Sequence, residues 1–383
     1  MTSRYPHNCV SGHEVQLPSG QKTIAHVFNE HGYKTAYIGK WHLDGFHERE
    51  GRAAKHIIPP ERRGGFQHWI GYENNNSQYD CWVHGDEGDN AFHYRLPGYE
   101  TDELTNLLID YIKQQGKAKN RGDEAPFFAV LSVQPPHDPY IAPEEMRKRH
   151  NPARIELRPN VPNIPRIIDQ ARKELSGYYA MIENLDWNVG RIRKALEACG
   201  LDGDTHLIFF SDHGDMHGSH GQFRKTIPFE ESIRIPFIMG GEQLYHGRVR
   251  GTDTTPINHV DIAPTTLGLC GIEKPTWMEG TDYSSHRLRG NPKDNEPDSA
   301  YIQNINALGE VCRPWRGIVT KDGWKYVCYE GAEWMLYNLQ EDPYEQVNLI
   351  NFRSHQRKCK ELNERLREWI KTTADSFTLP EYH

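Results

Sequence analysis

Apolar residues alternate along this chain between helical spacing and short continuous runs. Ile24, Val27 and Phe28 mark one face of a predicted helix, and Gly32 ends that helix before an apolar strand at residues 34–39. A helix followed at once by a buried strand is a repeating unit of layered α/β domains. The beginning of the chain therefore predicts that architecture.

The same helix and strand units recur further along the chain. Helical spacing at residues 104–111 precedes an apolar run at 127–133, and a long helical region from about Gln170 to Cys199 precedes a strand at 207–210. Another short strand is predicted at 236–239. Strands separated by helices favour a large, mostly parallel sheet flanked by helices, with ligand sites at the carboxyl ends of its strands.

The pattern changes after about residue 290. A charged stretch at residues 291–298 is followed by short strand-like segments and a terminal helix that has Leu362 and Leu366 on its apolar face. Short strands without helices between them favour antiparallel pairing. We therefore predict a layered α/β domain at residues 1–290 and a small C-terminal α+β subdomain with an antiparallel sheet at residues 291–383.

Composition excludes several classes of function. The 383 residues are 36% hydrophobic and 26% charged, and the net charge of -8 at pH 7 is spread along the chain. A nucleic-acid partner, which would need a basic face, is therefore not expected. No apolar window is long enough to predict a membrane span. The seven cysteines lack metal-type spacing, and compartment and oligomeric state stay open.

Lys40 and His42 follow the first predicted strand at alternate positions, in Gly39-Lys40-Trp41-His42. Alternate residues of a strand point to the same face, so both side chains can enter one site. A cation close to the core costs desolvation unless an anion lies opposite. The pair therefore predicts an anionic ligand.

A second candidate group follows the strand at residues 207–210. Asp212 and His213 can offer an oxygen and a nitrogen to one divalent ion. The nearby Asp215, His217 and His220 also belong to ligand-forming residue types. We interpret these three as turn-forming and hydrogen-bonding residues, outside the metal site.

Two further residues complete the candidate chemistry. His137 follows the strand at 127–133 in Gln134-Pro135-Pro136-His137-Asp138-Pro139, where prolines on both sides stiffen its position. A fixed histidine is a candidate general acid, although without the other motifs such a turn would favour a rigid loop. Lys225 lies just before the segment at residues 229–236 and is a candidate anion ligand.

These segments resemble the sulfatase family, and they occur in the family's order. The Gly39-Lys40-Trp41-His42 segment resembles a family signature, and the similarity extends to His259-Val260-Asp261-Ile262-Ala263-Pro264-Thr265 and to residues 342–349. It covers essentially the whole chain. The resemblance implies an alkaline-phosphatase-like fold and hydrolysis of a sulfate monoester, carried by a small molecule or a saccharide.

The resemblance also implies roles for the candidate residues. Lys40 and Lys225 would contact oxygens of the sulfate and the nucleophile, and His137 would protonate the leaving oxygen. His42 would handle an aldehyde hydrate. The metal site at Asp212 and His213 would hold Ca²⁺, with Mg²⁺ as an alternative. The division of roles between the histidine at 137 and the lysine at 225 stays open.

One part of the family pattern is missing from this sequence. Family members carry paired aspartates and a Cys-x-Pro-Ser-Arg segment, whose cysteine becomes formylglycine, ahead of a run that residues 2–8 resemble. Cys9 lies beyond the expected place, and we interpret the Cys-x-Pro-x-Arg match at Cys312 as chance. A late start of the chain is favoured over a genuine loss. We expect the chain as given to bind calcium weakly and to be catalytically impaired.

Two alternatives remain at this stage. The first is a phosphomonoesterase or phosphodiesterase of the same superfamily, since phosphoryl and sulfuryl groups need similar ligands; the Gly39-Lys40-Trp41-His42 segment argues against it. The second is a non-catalytic protein that binds anions or glycans in the same cleft.

Overall fold

The structure, a computed structural model, describes residues 1–48, 52–88, 90–241, 251–288, 290, 295–306 and 313–382. The helices of this part are α1 (Ile24–Glu30), α2 (Glu100–Lys119), α3 (Glu144–Arg147), α4 (Pro165–Ala198), α5 (Glu230–Ile233), α6 (Ile262–Leu269) and α7 (Gln356–Thr372). The strands are β1 (Lys34–Lys40), β2 (His68–Tyr72), β3 (Trp82–Glu87), β4 (Asn90–Arg95), β5 (Phe127–Ser132), β6 (Leu207–Phe210), β7 (Phe237–Gly240), β8 (Ser299–Asn304), β9 (Trp315–Thr320), β10 (Trp324–Tyr329) and β11 (Ala332–Asn338).

The larger sheet joins five strands in the order β4-β3-β2-β1-β5. β1 is parallel to both neighbours, with Ala36 opposite His68 of β2 and Ala129 of β5. β3 and β4 run antiparallel, because the two-residue connection between them permits no other pairing. The sheet is therefore mixed where a mostly parallel one was predicted, and the sequence pattern did not indicate β2, β3 or β4.

Helices cover both faces of this sheet. On one face, Ile38 of β1 packs with Leu104 of α2 and Ile192 of α4 in one buried apolar cluster. On the other face, Phe28 of α1 stacks on Phe128 of β5 with ring centroids 4.3 Å apart. The predicted layered α/β arrangement thus describes this part of the molecule.

β6 and β7 form a separate antiparallel pair, in which Ile208 lies opposite Met239. Leu207 packs against the same apolar cluster as α2 and α4. The strand ends at Phe210 and leads directly into the loop that carries the candidate metal ligands.

The C-terminal strands form a four-stranded antiparallel sheet in the order β11-β10-β9-β8, as predicted. α7 covers it, with Leu362 and Leu366 packed on Ile318. Tyr5 and Val260 join the same apolar cluster, so the two predicted domains share a core. The proposed boundary at residue 290 stays a prediction, since the linker residues 291–294 lie outside the described part.

α4 begins at Pro165, ahead of the predicted start near Gln170. Proline is well suited to the first turn of a helix, where its missing N–H has no partner to lose. The helix has 34 residues. Even so, none of the described helices is both long and apolar enough to cross a membrane.

Gly39 permits a close approach of β1 and β5 immediately before Lys40. Its φ is +116°, and a Cβ atom at this position would lie 1.9 Å from the carbonyl oxygen of Ser132. Neither the conformation nor the space admits a side chain. Gly39 therefore fixes the place at which Lys40 leaves the sheet.

We expect Gly39→Ala to lower the free energy of unfolding by more than about 2 kcal/mol, because it combines backbone strain with a steric clash. Gly190→Ala in α4 is the matched control, since its added Cβ meets nothing within 4 Å. That change should be neutral or stabilise by about 1 kcal/mol. Urea denaturation measures both, and equal free energies for the two variants would contradict this account of Gly39.

Candidate active site

The candidate residues lie where strands end. Lys40 is the last residue of β1, His137 follows β5, and Asp212 and His213 follow β6. Lys225 comes from the loop beyond β6. The rings of His137 and His213 lie 6.1 Å apart, and Lys225 contacts His137. The loops thus bring His137, His213 and Lys225 together, and Lys40 interacts electrostatically with Asp212 and Lys225. We refer to the place where these residues meet as the cleft.

The contact between Lys225 and His137 lies at the centre of this cleft. Lys225 Nζ is 2.8 Å from His137 Nε2, and His137 Nδ1 is 2.7 Å from the carbonyl oxygen of Asp138. A carbonyl can only accept, which assigns the ring proton to Nδ1 and leaves Nε2 to accept from the ammonium. Burial and then the charge of Lys225 lower the pKa of His137, so the ring is neutral.

The two lysines share an anionic neighbour. Burial lowers the pKa of Lys40, while the carboxylate of Asp212 acts to raise it and Lys225 to lower it further. Burial likewise lowers the pKa of Lys225, against the opposing charges of Asp212 and Asp138. Each lysine is therefore close enough to Asp212 for strong electrostatic coupling.

His42 lies beyond β1 in a strained conformation, with φ of 54°. Burial lowers its pKa to about 3, and the charge of Lys40 contributes. Its Nε2 atom has no hydrogen-bond partner within the described residues, and its ring lies against that of His13 at a centroid distance of 4.8 Å. Left-handed backbone at a non-glycine residue persists only where its surroundings impose it, and such residues cluster at functional sites.

Asp212 and His213 present an oxygen and a nitrogen at the end of β6. His213 Nδ1 is 2.7 Å from the carbonyl oxygen of Gly214, and His213 Nε2 is 3.6 Å from Asp212 Oδ2. The side chain of Asp212 is 86% exposed, yet burial is the strongest influence on its pKa. Burial acts to raise that pKa, but His213, Lys225 and Lys40 together lower it.

These two donors alone do not complete a metal site. The described ranges contain no group of three or more His, Cys, Asp or Glu side chains that could hold a metal ion. Ca²⁺ takes about six to eight oxygen ligands. Cys312 lies outside the described residues, and Cys9 hydrogen-bonds to Thr2. The described residues therefore supply too few ligands for a metal ion. They also contain no cysteine in the position from which the family forms its formylglycine.

Asp215, His217 and His220 contribute to the packing of the loop after β6. Asp215 accepts a hydrogen bond of 2.6 Å from the hydroxyl of Tyr140, and His220 stacks on Phe229 with centroids 3.9 Å apart. His217 is buried against the rings of Tyr140 and Tyr178, and neither of its ring nitrogens has a hydrogen-bond partner within the described residues. The contacts of Asp215 and His220 therefore agree with the predicted structural roles, whereas the hydrogen-bonding role predicted for His217 is not seen.

Two residues near the cleft were missed from the sequence. Arg224 lies 2.8 Å from Glu174 and 3.5 Å from Asp138, and these partners are too distant in sequence to signal the contact. His259 lies 3.0 Å from the carbonyl oxygen of the residue before Asp212, and it acts to lower the pKa of that carboxylate. The sequence did carry a signal for His259, since it opens one of the segments with family resemblance.

The fold and the cleft together define an α/β protein in which lysines and histidines lie close together near its strand ends. The family model described as Sulfatase matches residues 1–272. A second model, described as N-sulphoglucosamine sulphohydrolase, C-terminal, matches residues 218–372. The chain belongs to the sulfatase family, and its alkaline-phosphatase-like fold is confirmed.

Individual relatives agree with this assignment. An ulvan-active sulfatase of Formosa agariphila is 33% identical over 394 residues, which cover 100% of this chain and 72% of that protein. A crystal structure from Bacteroides fragilis, described as a sulfatase, has a TM-score of 0.86 at 27% identity and covers 98% and 84% of the two chains. A third chain, solved with its substrate D-glucosamine-2-N,6-O-disulfate, shares the fold at 22% identity and a TM-score of 0.81, covering 98% and 87%.

Acid should destabilise this fold through His42. Its folded pKa of about 3 lies below the ordinary value of 6.5, so stability present above pH 6.5 is lost as the pH falls towards 3. Between pH 7 and pH 4 the free energy of unfolding of the unmodified protein should therefore fall. In His42→Gln we expect this fall to be smaller by roughly 2–3 kcal/mol. Chemical denaturation at both pH values measures it, with His355→Gln as a control away from the cleft. The same pH dependence in His42→Gln and the unmodified protein would exclude this role.

Proposed function

We propose that the cleft binds the sulfate group of a sulfate monoester and serves its hydrolysis. The contact of 2.8 Å between Lys225 Nζ and His137 Nε2, formed beside Lys40 and Asp212, is the observation that carries this proposal. It joins an anion ligand to a proton-transfer group, which is the pairing that ester cleavage requires. Membership of the sulfatase family supports the reaction.

The substrate is a small-molecule or saccharide sulfate. A structural neighbour solved with a disulfated glucosamine as its substrate supports the saccharide. Lys40 and Lys225 would neutralise charge on the sulfuryl oxygens. Both lysines are half-buried, and a fixed positive charge stabilises an anion more strongly in such a position than in bulk water.

His137 and Lys225 act together in protonating the leaving oxygen. The ammonium holds the proton nearest to His137 Nε2, while Asp138 fixes the ring through Nδ1. Two groups in such contact titrate as a pair. The proton that reaches the leaving oxygen starts on Lys225 Nζ: the ammonium donates it directly, or it passes first to His137 Nε2, and in both cases an N–H bond of Lys225 breaks and leaves a neutral amine. A leaving alkoxide needs that proton, whereas an activated phenolate hardly does.

Asp212 and His213 are proposed as ligands of Ca²⁺, with Mg²⁺ as an alternative. A bound divalent ion would neutralise charge on the sulfate oxygens. Lys40 and His42 are assigned to the oxygens of the nucleophile, which in this family is a formylglycine. His42 Nε2 lacks a partner in the described structure, as expected for an atom that serves a ligand.

Sulfate binding tests the anion site without requiring turnover. We expect Lys225→Met to weaken the binding of 4-nitrophenyl sulfate about tenfold or more, since a charge-assisted hydrogen bond is worth roughly 1.5–3 kcal/mol. Affinity should also rise as the pH falls through the lowered pKa of His137, because its protonation adds a positive charge. Calorimetry measures both effects. Lys194→Met, an exposed lysine of α4, is the control; an equal affinity for both variants would exclude Lys225 from the site.

The leaving group tests the proton donor in a catalytically competent form of the protein. His137→Ala should slow an alkyl sulfate by about a hundredfold or more, and 4-nitrophenyl sulfate far less. Initial rates with the two esters give the comparison. If His137→Ala lowered the rates for both esters by the same factor, the role of proton donor would be assigned to Lys225. Sulfate binding without any turnover would favour the anion-binding alternative, and faster cleavage of phosphate than of sulfate esters would favour the phosphoesterase.

A further inference from the structure

The C-terminal subdomain contacts the loop that follows Lys225 through a buried cation. Lys325 of β10 is fully buried, and its ammonium forms an ion pair with Glu345. Lys325 Nζ also lies 3.1 Å from Glu230 Oε1 and donates a hydrogen bond of 2.8 Å to the carbonyl oxygen of Pro228. One side chain of the small sheet therefore holds two points of the loop within five residues of Lys225.

Two more contacts hold the same loop. Glu345 accepts a hydrogen bond of 2.7 Å from the backbone N–H of Glu230. Trp315 of β9 donates its ring N–H to the carbonyl oxygen of Thr226 at 3.0 Å. Thr226 directly follows Lys225, so the subdomain contacts the chain immediately beside the lysine.

The backbone around Lys225 needs such support. Arg224 has φ of 74° and Thr226 has φ of 80°, so both neighbours of the lysine adopt the left-handed region. That region is costly for residues with a Cβ, and most of all for a β-branched threonine. Without the contacts from the small sheet, the loop would relax and carry the lysine with it.

The chemistry of the cluster also favours a role in positioning. A buried ion pair gives weak support to stability, because desolvation of both charges offsets their attraction. Lys325 and Glu345 are both at most 1% exposed. Their charges do, however, fix the direction of several hydrogen bonds at once, which an apolar contact cannot do.

We infer that Lys325, with Glu345, Glu230 and Trp315, forms a positioning cluster that holds Lys225 Nζ in reach of His137. Its importance for hydrolysis rests on the proposed function. The contact between Lys225 and His137 can be observed without turnover, so the inference can be tested separately.

The test measures the chemical shifts of the two ring nitrogens of His137 by NMR in protein labelled with ¹⁵N-histidine. The signals of His137 are assigned from their loss in His137→Gln. The unmodified protein should show the Nδ1–H tautomer, with Nε2 accepting a hydrogen bond. Lys325→Met and Trp315→Phe should each shift the Nε2 signal, since Lys225 then leaves the ring, while the hydrogen bond to the carbonyl oxygen of Asp138 keeps the proton on Nδ1.

Tyr326→Phe is the matched control. Tyr326 is the neighbour of Lys325 on β10, and its hydroxyl faces α7, where it lies 3.3 Å from Asn363. The change removes a buried polar group from the same strand without touching the loop. It should leave the His137 signals unchanged, even if it lowers stability.

The outcomes separate positioning from general damage. A wild-type His137 spectrum in both Lys325→Met and Trp315→Phe, or the same shift in Tyr326→Phe, would overturn the inference. If Lys325→Met does not fold, the inference is tested by Trp315→Phe and Tyr326→Phe alone: a shifted Nε2 signal of His137 in the first variant and not in the second supports it. In a competent form, Trp315→Phe should lower kcat about tenfold or more, and Tyr326→Phe should change it little. Shifted spectra without sulfatase activity in any form would leave the positioning intact and reject the proposed function.

Discussion

The crowding of basic groups in one cleft is the constraint on which the site depends. Lys40, Lys225, His42 and His137 lie within electrostatic reach of one another. The described carboxylates opposite the two lysines include those of Asp212 and Asp138. Like charges at such distances repel and are costly to desolvate. The protein meets this constraint by keeping the histidines neutral through burial, so that only the two ammonium groups carry charge. The four basic side chains can then lie close together.

Neutral histidines and closely spaced lysines require a rigid frame. Gly39 lets β1 and β5 approach until no Cβ fits between them, and this fixes Lys40. Lys225 comes from a loop with strained backbone on both sides, and the small C-terminal sheet holds that loop. The end of β1 thus fixes the position of one lysine, while the subdomain contacts the loop that carries the other.

The sequence predicted those features that are local. Residues at strand ends, such as Lys40, His137 and Asp212, can be recognised because a short apolar run and a polar turn lie next to each other. The partnership of Lys225 with His137 joins residues 88 positions apart, and no periodicity reports such a contact. Family resemblance placed both in one site, but their direct contact was visible only in three dimensions. The roles of individual residues remain proposals.

Other differences have equally physical causes. The β3–β4 hairpin made the sheet mixed, because strand direction depends on the length of the connection more than on the hydrophobic pattern. α4 started early because a proline suits a first turn. The positioning cluster around Lys325 was invisible because a lysine in a predicted strand is usually exposed, and here it is fully buried.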